Sequence, residues 1–167
     1  MRALIVTGKY AQDIEVFYPK YRMEEEGCKV DIAVQGDEVV EGVYGMKITP
    51  TLDMSHAEPS MFDCLILPGG ARAMEYLRQS EEILRLIKDF YIEGKVLGVI
   101  CHGTQLLISS GLVTGKKISG YYSIKDDVIN AGGIWTDAPF ITDGRIITSP
   151  HYKYLGPWMK QVIDVAT

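Results

Sequence analysis

Cysteine and histidine are scarce in this chain, which has only three of each among its 167 residues. Cys28, Cys64 and Cys101 lie far apart, form no CxxC pair and do not combine with the histidines at the spacing of a zinc site. The sequence therefore predicts neither a disulfide framework nor a structural zinc. We expect no metal and no other cofactor.

Positive charge and long apolar runs are also in short supply. The chain has 17 lysines and arginines against 22 aspartates and glutamates, which gives a net charge of −5, and it has no basic cluster. This argues against nucleic acid as the main partner. No apolar run could cross a bilayer, and the run that begins at Met1 ends at Val6, which is too short for a signal peptide. We expect a cytoplasmic protein with no membrane partner.

The residues that are present suit one compact domain over residues 1–167. Hydrophobic residues make up 47% of the chain and charged residues 23%. A chain of this length buries roughly 68–70% of its unfolded surface, which is enough for a hydrophobic core. No repeat, low-complexity segment or linker divides the sequence.

Short apolar runs alternate with longer amphipathic runs. They predict strands at 3–6, 30–34, 64–67, 96–100, 118–121, 134–135, 140–142 and 145–149, and helices at 14–25, 83–91, 105–109, 124–130 and 154–165. This β-α-β order predicts an α/β fold with a mostly parallel sheet covered on both faces. Residues 39–48 predict a small inserted β-hairpin, and Asp143-Gly144 predicts a second hairpin turn. Cys28 and Cys64 flank or enter apolar strands, so we predict that both are core thiols.

The stretch from Gly98 to Gln105 is typical of a nucleophile elbow. Cys101 stands between a predicted strand and a predicted helix, and backbone N–H groups at such a turn favour the anionic form of a thiol. We therefore expect a lowered pKa for Cys101, since the thiolate is the reactive species. Gly103 permits close approach of the backbone at the turn. The alternative is an ordinary buried cysteine at the end of a strand.

Two other segments are expected at the same edge of the sheet, because ligand sites in such folds lie beyond the carboxyl ends of the strands. Pro68-Gly69-Gly70 follows a predicted strand and leaves backbone N–H groups unshielded for an oxyanion. Glu15, early in the first helix, reaches the thiol if burial keeps its carboxyl protonated. The alternatives are a simple tight turn and a carboxylate that complements the helix dipole.

Taken together, these motifs resemble the ThiJ/PfpI superfamily, and within it the PfpI branch named for an intracellular protease. The resemblance covers nearly the whole chain and includes the following segments: Asp13-Ile14-Glu15, Tyr18-Pro19, Leu67-Pro68-Gly69-Gly70, Ile100-Cys101-His102-Gly103 with Gln105, Ile124-Lys125-Asp126-Asp127, Asn130-Ala131-Gly132 and Trp158-Met159. It implies a flavodoxin-like three-layer α/β/α sandwich.

The resemblance also implies a site. Cys101 would be the nucleophile and Glu15 the protonated acid beside it, while His102 would complete a triad with a glutamate from a neighbouring subunit. Glu75 matches that glutamate, although the segment after Gly70 is one residue longer than usual. The resemblance therefore implies a dimer, often assembled into a hexameric ring.

Further expectations concern residues that line the site. Tyr121 matches a site-lining tyrosine of the branch, and we assign Gly69, Gly70 and Gly103 to substrate or oxyanion binding. Two residues depart from the family pattern: Gln12 replaces a second acidic residue, and Ser149-Pro150-His151-Tyr152 replaces a Ser-Arg pair. His151 would then stand at the mouth of the site, unless it is only a solvent-exposed loop residue.

The leading hypothesis is a cysteine-dependent hydrolase or hydratase that acts on reactive carbonyls, of the glyoxalase III or protein deglycase type, with weak peptidase activity. The alternatives are an intracellular cysteine peptidase and a redox sensor or chaperone that works through oxidation of Cys101. A class I glutamine amidotransferase would need a late His-x-Glu pair, whereas the chain has His151-Tyr152-Lys153. Under the first two of these hypotheses, the substrate is a small carbonyl compound or a peptide.

Overall fold

A six-stranded sheet runs through the centre of the protein in the computed structural model, which describes residues 1–167. The strands of the molecule are β1 (Arg2–Thr7), β2 (Lys29–Val34), β3 (Val40–Glu41), β4 (Lys47–Ile48), β5 (Cys64–Leu67), β6 (Val96–Ile100), β7 (Lys117–Ile118), β8 (Ile134–Trp135), β9 (Ile141–Asp143) and β10 (Ile146–Ser149). The helices are α1 (Asp13–Glu25), α2 (Ala71–Leu77), α3 (Glu81–Ile92), α4 (Thr104–Ser109), α5 (Lys125–Asn130) and α6 (Leu155–Ala166). Short 3-10 turns lie at Met54–His56, Pro59–Met61, Cys101–Gly103, Tyr122–Ile124 and Tyr152–Tyr154.

The strand order in the main sheet is β2-β1-β5-β6-β10-β9. The first five strands are parallel, and only β9 runs antiparallel, against β10. The parallel strands are almost completely buried because helices cover both faces, which explains why they appear in the sequence as continuous apolar runs. The predicted α/β fold with a mostly parallel sheet is confirmed.

The helices form the outer two layers of an α/β/α sandwich. Helices α1 and α6 pack on one face of the sheet, and α3 and α4 contact each other on the opposite face. Trp158 of α6 is fully buried, and its indole N–H donates to the carbonyl oxygen of Ile147 at 3.2 Å. Cys28 and Cys64 are buried in the core beside α1 and α6 and form no disulfide, so the prediction of core thiols is confirmed.

Two hairpins appear where the sequence predicts them. Strands β3 and β4 pair antiparallel, with Val40 opposite Ile48, and β9 pairs with β10 across the turn at Gly144. The strand predicted at 118–121 ends at Ile118 instead, since the chain turns toward the main sheet and the Tyr121 N–H donates to the Cys101 carbonyl at 3.3 Å. Helix α2 is not indicated by the periodicity because it has only seven residues.

None of the helices of the protein is both long enough and apolar enough to cross a membrane. No group of three or more histidine, cysteine, aspartate or glutamate side chains is placed so that it could hold a metal ion.

Candidate active site

Three loops meet where β1, β5 and β6 end. The N–H of Gln12, in the loop after β1, donates to the carbonyl oxygen of Gly69 at 3.1 Å. Gly69 lies so close to the third loop that a Cβ atom there would come within 2.9 Å of the Cys101 Cβ atom. The parallel order of the strands causes this meeting, because it places their carboxyl ends at one edge of the sheet.

Cys101 occupies a strained turn between β6 and α4. Its φ angle is 58°, in the left-handed region that non-glycine residues seldom adopt. Holding a non-glycine residue in this region costs conformational free energy of order 1–3 kcal/mol. Such strain is concentrated at functional sites. Gly103 allows the turn to pack against β5, because a Cβ atom there would lie 2.5 Å from the carbonyl oxygen of Leu67. The fold therefore contains the predicted nucleophile elbow.

Glu15 extends from the first turn of α1 to the underside of the elbow. Its side chain is completely buried, and its Oε2 atom accepts the Gly69 N–H at 2.7 Å. The other carboxyl oxygen is buried and has no hydrogen-bond partner. Burial raises the pKa of Glu15 to about 7, although the Gly69 N–H and the Cys101 side chain both act to lower it. Near neutral pH, therefore, the protonated form of Glu15 is well populated.

The pKa of Cys101 is shifted in the direction opposite to the sequence-based expectation. Burial raises the pKa of the thiol, and the charge on ionised Glu15 raises it further, whereas the backbone N–H groups of His102 and Gly70 lower it. The sequence argument included the backbone N–H groups of the elbow but neither the burial of the sulfur nor the neighbouring carboxyl. Because two adjacent buried charges are unfavourable, the pair holds at most one negative charge near neutral pH.

His102 lies beside the sulfur of Cys101 and inside a small polar and aromatic group. Its Nδ1 atom is 3.5 Å from the Cys101 sulfur, and its Nε2 atom is 3.5 Å from the Ser123 hydroxyl. The ring stacks on Tyr121 with centroids 4.3 Å apart. Burial lowers the pKa of His102, so the imidazole is neutral at pH 7 and has one donor and one acceptor nitrogen. No sequence signal identifies Ser123, because nothing in its spacing relates it to His102.

A cleft of about 380 Å³ opens above the sulfur. It is lined by Gln12, Val43, Gly70, Ala71, Arg72, Cys101, His102, Tyr121, His151 and Tyr152. Both departures from the family pattern, Gln12 and His151, are in this lining. The His151 ring lies 6.2 Å from the Tyr121 ring and 4.0 Å from the Tyr152 ring, so it forms part of an aromatic wall rather than a solvent-exposed loop position.

Not all of the remaining residues that were assigned from the sequence lie where their roles require. Gly69 does not fit oxyanion binding, because its N–H already donates to Glu15. Gly70 has its N–H near the Cys101 sulfur and a φ of 112°, a conformation that favours glycine. Gly103 is buried within the elbow. Glu75 is exposed on α2 and does not line the cleft of its own chain, so the structure does not bring it to His102.

The sequence is similar to those of known proteins along nearly its whole length. The sequence profile of the DJ-1/PfpI family matches residues 1–165. The chain is 37% identical over 165 residues to Deglycase PfpI of Pyrococcus furiosus, covering 99% of each protein. It is 36% identical over 148 residues to YraA of Bacillus subtilis, whose name assigns it provisionally to the cysteine proteases, covering 88% of this chain and 86% of YraA.

A solved structure gives the same fold. The chain superimposes with a TM-score of 0.94 on a two-domain protein from Anabaena variabilis that contains a DJ-1/ThiJ/PfpI-like and a ferritin-like domain. The sequences are 26% identical, and the match covers 98% of this chain and 47% of that protein. With the elbow, the strand-end glycines and a match over nearly its full length, the chain belongs to the DJ-1/PfpI family.

Proposed function

We propose that this protein is a cysteine-dependent enzyme of the deglycase type, which removes reactive dicarbonyl compounds or their early adducts. One observation carries the proposal: the Cys101 sulfur lies at the floor of an open cleft, beside His102 and above a buried carboxyl that has one unpartnered oxygen. The names of the relatives that match along their full length support the same chemistry.

In the proposed mechanism, Cys101 attacks the carbonyl carbon as a thiolate. Glu15 in its protonated form can donate a hydrogen bond to the sulfur, so the single negative charge of the pair moves to the nucleophile without leaving the site. The new C–S bond converts the carbonyl oxygen to an oxyanion. The backbone N–H groups of Gly70 and His102, which lower the pKa of the thiol, are the donors available to that oxyanion.

His102 then moves the proton. Its neutral ring can accept a proton at one nitrogen and return it to the leaving amine or thiol, while Ser123 orients the second nitrogen. For a methylglyoxal hemithioacetal, one water is consumed, the thiol is released and lactate is formed. The aldehyde carbon is oxidised and the adjacent carbonyl carbon is reduced, so the reaction needs no external oxidant.

A peptidase reaction at the same site is the alternative that the name of YraA favours. An amide is much less electrophilic than an aldehyde or ketone, so we place carbonyl chemistry first. A redox sensor would use the same buried pair, with Glu15 bound to an oxidised Cys101. Turnover of a carbonyl substrate separates the enzyme from the sensor.

The proposal extends to assembly and location. We infer that Glu75, exposed on α2, approaches His102 of a second chain, so that the active form is a dimer or a larger ring. A cytoplasmic location and a role in the stress response are also predictions, and both come from the sequence and the family resemblance.

The test is steady-state conversion of methylglyoxal to lactate, corrected for buffer-catalysed loss. Cys101→Ala should lower kcat/KM at least about a thousandfold, because the step that forms the covalent bond is lost. Cys64→Ala is the matched control, since this thiol is buried in the core away from the cleft. Wild-type protein that is no faster than Cys101→Ala would contradict the proposal, and peptide substrates would be tested next.

A further inference from the structure

Arg72 is the one lysine, arginine, aspartate or glutamate among the residues that line the cleft above Cys101. Glu15 lies below the floor and is buried. Asp13 is also buried, and both its carboxyl oxygens accept backbone N–H groups of the β3–β4 hairpin. Within the chain, no carboxylate faces the cleft to balance the guanidinium group of Arg72.

The guanidinium group is held in place, and it has no ionic partner. Its Cζ atom lies 3.7 Å from the centroid of the Tyr10 ring, in cation–π contact. No carboxylate of the chain forms an ion pair with it. The contact with Tyr10 orients the group but leaves its N–H donors free. A planar fork of free donors is the geometry that binds a carboxylate in a bidentate manner.

We propose that Arg72 is a specificity-determining residue, which binds a carboxylate of the substrate and selects carbonyl adducts that carry one. This inference rests on the proposed function and names the substrate class more narrowly. Methylglyoxal itself has no such group. The preferred substrates would then be adducts on free amino acids or small carboxylate-bearing thiols, in which the carboxylate lies a few bonds from the reacting carbon.

The departures from the family pattern agree with this assignment. Gln12 is neutral, whereas an acid at this position would place a negative charge in the same cleft. Tyr121 and His151 add aromatic surface to the cleft, and burial lowers the pKa of His151, so its ring adds no second positive charge near pH 7. An incoming carboxylate therefore meets one cation and no carboxylate on the walls of the cleft, and the negative charge of the site is confined to Cys101 and Glu15 at its floor.

The experiment compares two substrates that differ in one charge. They are the methylglyoxal hemithioacetals of N-acetylcysteine and of N-acetylcysteine amide, assayed at equal free methylglyoxal so that its own turnover contributes equally. Wild-type protein should prefer the carboxylate adduct about two- to fivefold in kcat/KM, as expected for one ion pair to an exposed arginine. The preference should shrink in about 0.5 M KCl, because salt screens the pair.

Three variants make the test specific. Arg72→Gln should bring the ratio of the two kcat/KM values close to one, and Arg72→Lys should restore part of the preference. Lys153→Gln is the matched control, since Lys153 also rests on aromatic rings, at 4.9 Å from Tyr154 and 5.7 Å from Tyr122, but does not line the cleft. It should keep the wild-type ratio.

The outcomes distinguish the inference from the function on which it rests. Equal kcat/KM for both adducts in the wild type, or an unchanged ratio in Arg72→Gln, would overturn the inference while leaving the enzyme assignment intact. If the ratio is unchanged because kcat/KM falls equally on both substrates in Arg72→Gln, Arg72 makes a structural contact instead, such as an ion pair with a second chain. If neither adduct is turned over faster than by Cys101→Ala, the proposed function itself fails.

Discussion

Glu15 and Cys101 form a coupled pair, because the charge on either group raises the pKa of the other. The carboxyl is buried, and so is the sulfur, so each group is easier to ionise while the other stays protonated. The Gly69 N–H, which donates to Glu15 at 2.7 Å, keeps the carboxyl in position whichever group holds the proton. A thiolate at this elbow therefore depends on the protonation state of Glu15 as well as on the backbone N–H groups.

Glu15→Gln should stabilise the protein at alkaline pH. Because the pKa of Glu15 is about 7 when folded and near 4.5 when unfolded, the folded protein binds more protons between these values. Its free energy of unfolding therefore falls as pH rises from about 4.5 to about 7 and then levels off. Glutamine has no such charge, so the variant should gain up to about 3 kcal/mol over wild type at pH 8. Urea unfolding at about pH 5 and pH 8 measures this difference.

The control for this prediction is Glu82→Gln, which neutralises an exposed carboxylate at the start of α3. It should show no comparable dependence on pH. A second readout is alkylation of Cys101 by iodoacetamide, followed by peptide mass spectrometry. Glu15→Gln should react faster than wild type at about pH 9, because it removes a charge that raises the pKa of the thiol. Slower alkylation would mean that the proton of Glu15 is what stabilises the thiolate.

At the scale of elements, the β3–β4 hairpin forms one wall of the cleft and is held there by α1. The Asp13 carboxylate accepts the N–H of Tyr44 at 2.8 Å and the N–H of Met46 at 2.9 Å. The Val43 N–H donates to the carbonyl oxygen of Ala11 at 2.9 Å, and the Val43 side chain lines the cleft. The first turn of α1 thus positions both the cleft wall and, through Glu15, the elbow.

Asp13→Asn should loosen this wall without changing its shape. An amide can accept only one of the two N–H groups, since its NH₂ group would face the other, so we expect a loss of about 1–3 kcal/mol in stability. The KM for carbonyl substrates should rise more than kcat falls, because the wall contacts the substrate while the nucleophile is untouched. Urea unfolding and amide hydrogen exchange at Tyr44 and Met46 check the local effect.

Asp37→Asn provides the matched control for this change. Asp37 also uses its carboxylate to accept a backbone N–H, from Met54 at 2.8 Å, but it does not line the cleft. The amide oxygen of asparagine can still accept this one N–H, so Asp37→Asn should change neither stability nor KM appreciably. If Asp13→Asn and Asp37→Asn have the same kinetic constants, the hairpin does not shape the substrate site.

At the scale of the whole molecule, His102 lacks an acidic partner within its own chain. His102 has Cys101 on one side and Ser123 on the other, yet no carboxylate of its own chain is hydrogen-bonded to it. Glu75 is exposed on α2, where a second chain could reach it. A shared site of this kind requires an interface to which both copies contribute the same surface, as in a two-fold symmetric dimer.

A mixture of two inactive variants tests this arrangement. Cys101→Ala and Glu75→Gln are each expected to be nearly inactive, but a mixed dimer would contain one complete site, with Cys101 from one chain and Glu75 from the other. Exchange of subunits in an equal mixture should restore about one quarter of wild-type activity. A mixture of Cys101→Ala with Glu15→Gln is the control, because Glu15 and Cys101 belong to the same chain's site. No gain in the first mixture would rule out the shared site.

Much of the fold could be predicted because its signals are local. The apolar run 96–100 and the amphipathic run 154–165 need only the period of the hydrophobic residues, and the structure has β6 and α6 at those places. The elbow at Cys101 could also be predicted, since a strand, a cysteine and a glycine follow one another directly. Helix α2 could not, because seven residues after a glycine pair carry too little periodicity.

The sequence by itself determined the α/β layering, the inserted hairpin, the core position of Cys28 and Cys64, and the elbow that presents Cys101. Only the tertiary structure decided that Gly69 holds Glu15, that Ser123 reaches His102, and that Arg72 rests unpaired on Tyr10. It also reversed the expected direction of the Cys101 pKa shift. The reason is physical: hydrophobic periodicity depends on neighbours along the chain, whereas burial, charge pairing and proton sharing depend on groups brought together from distant segments.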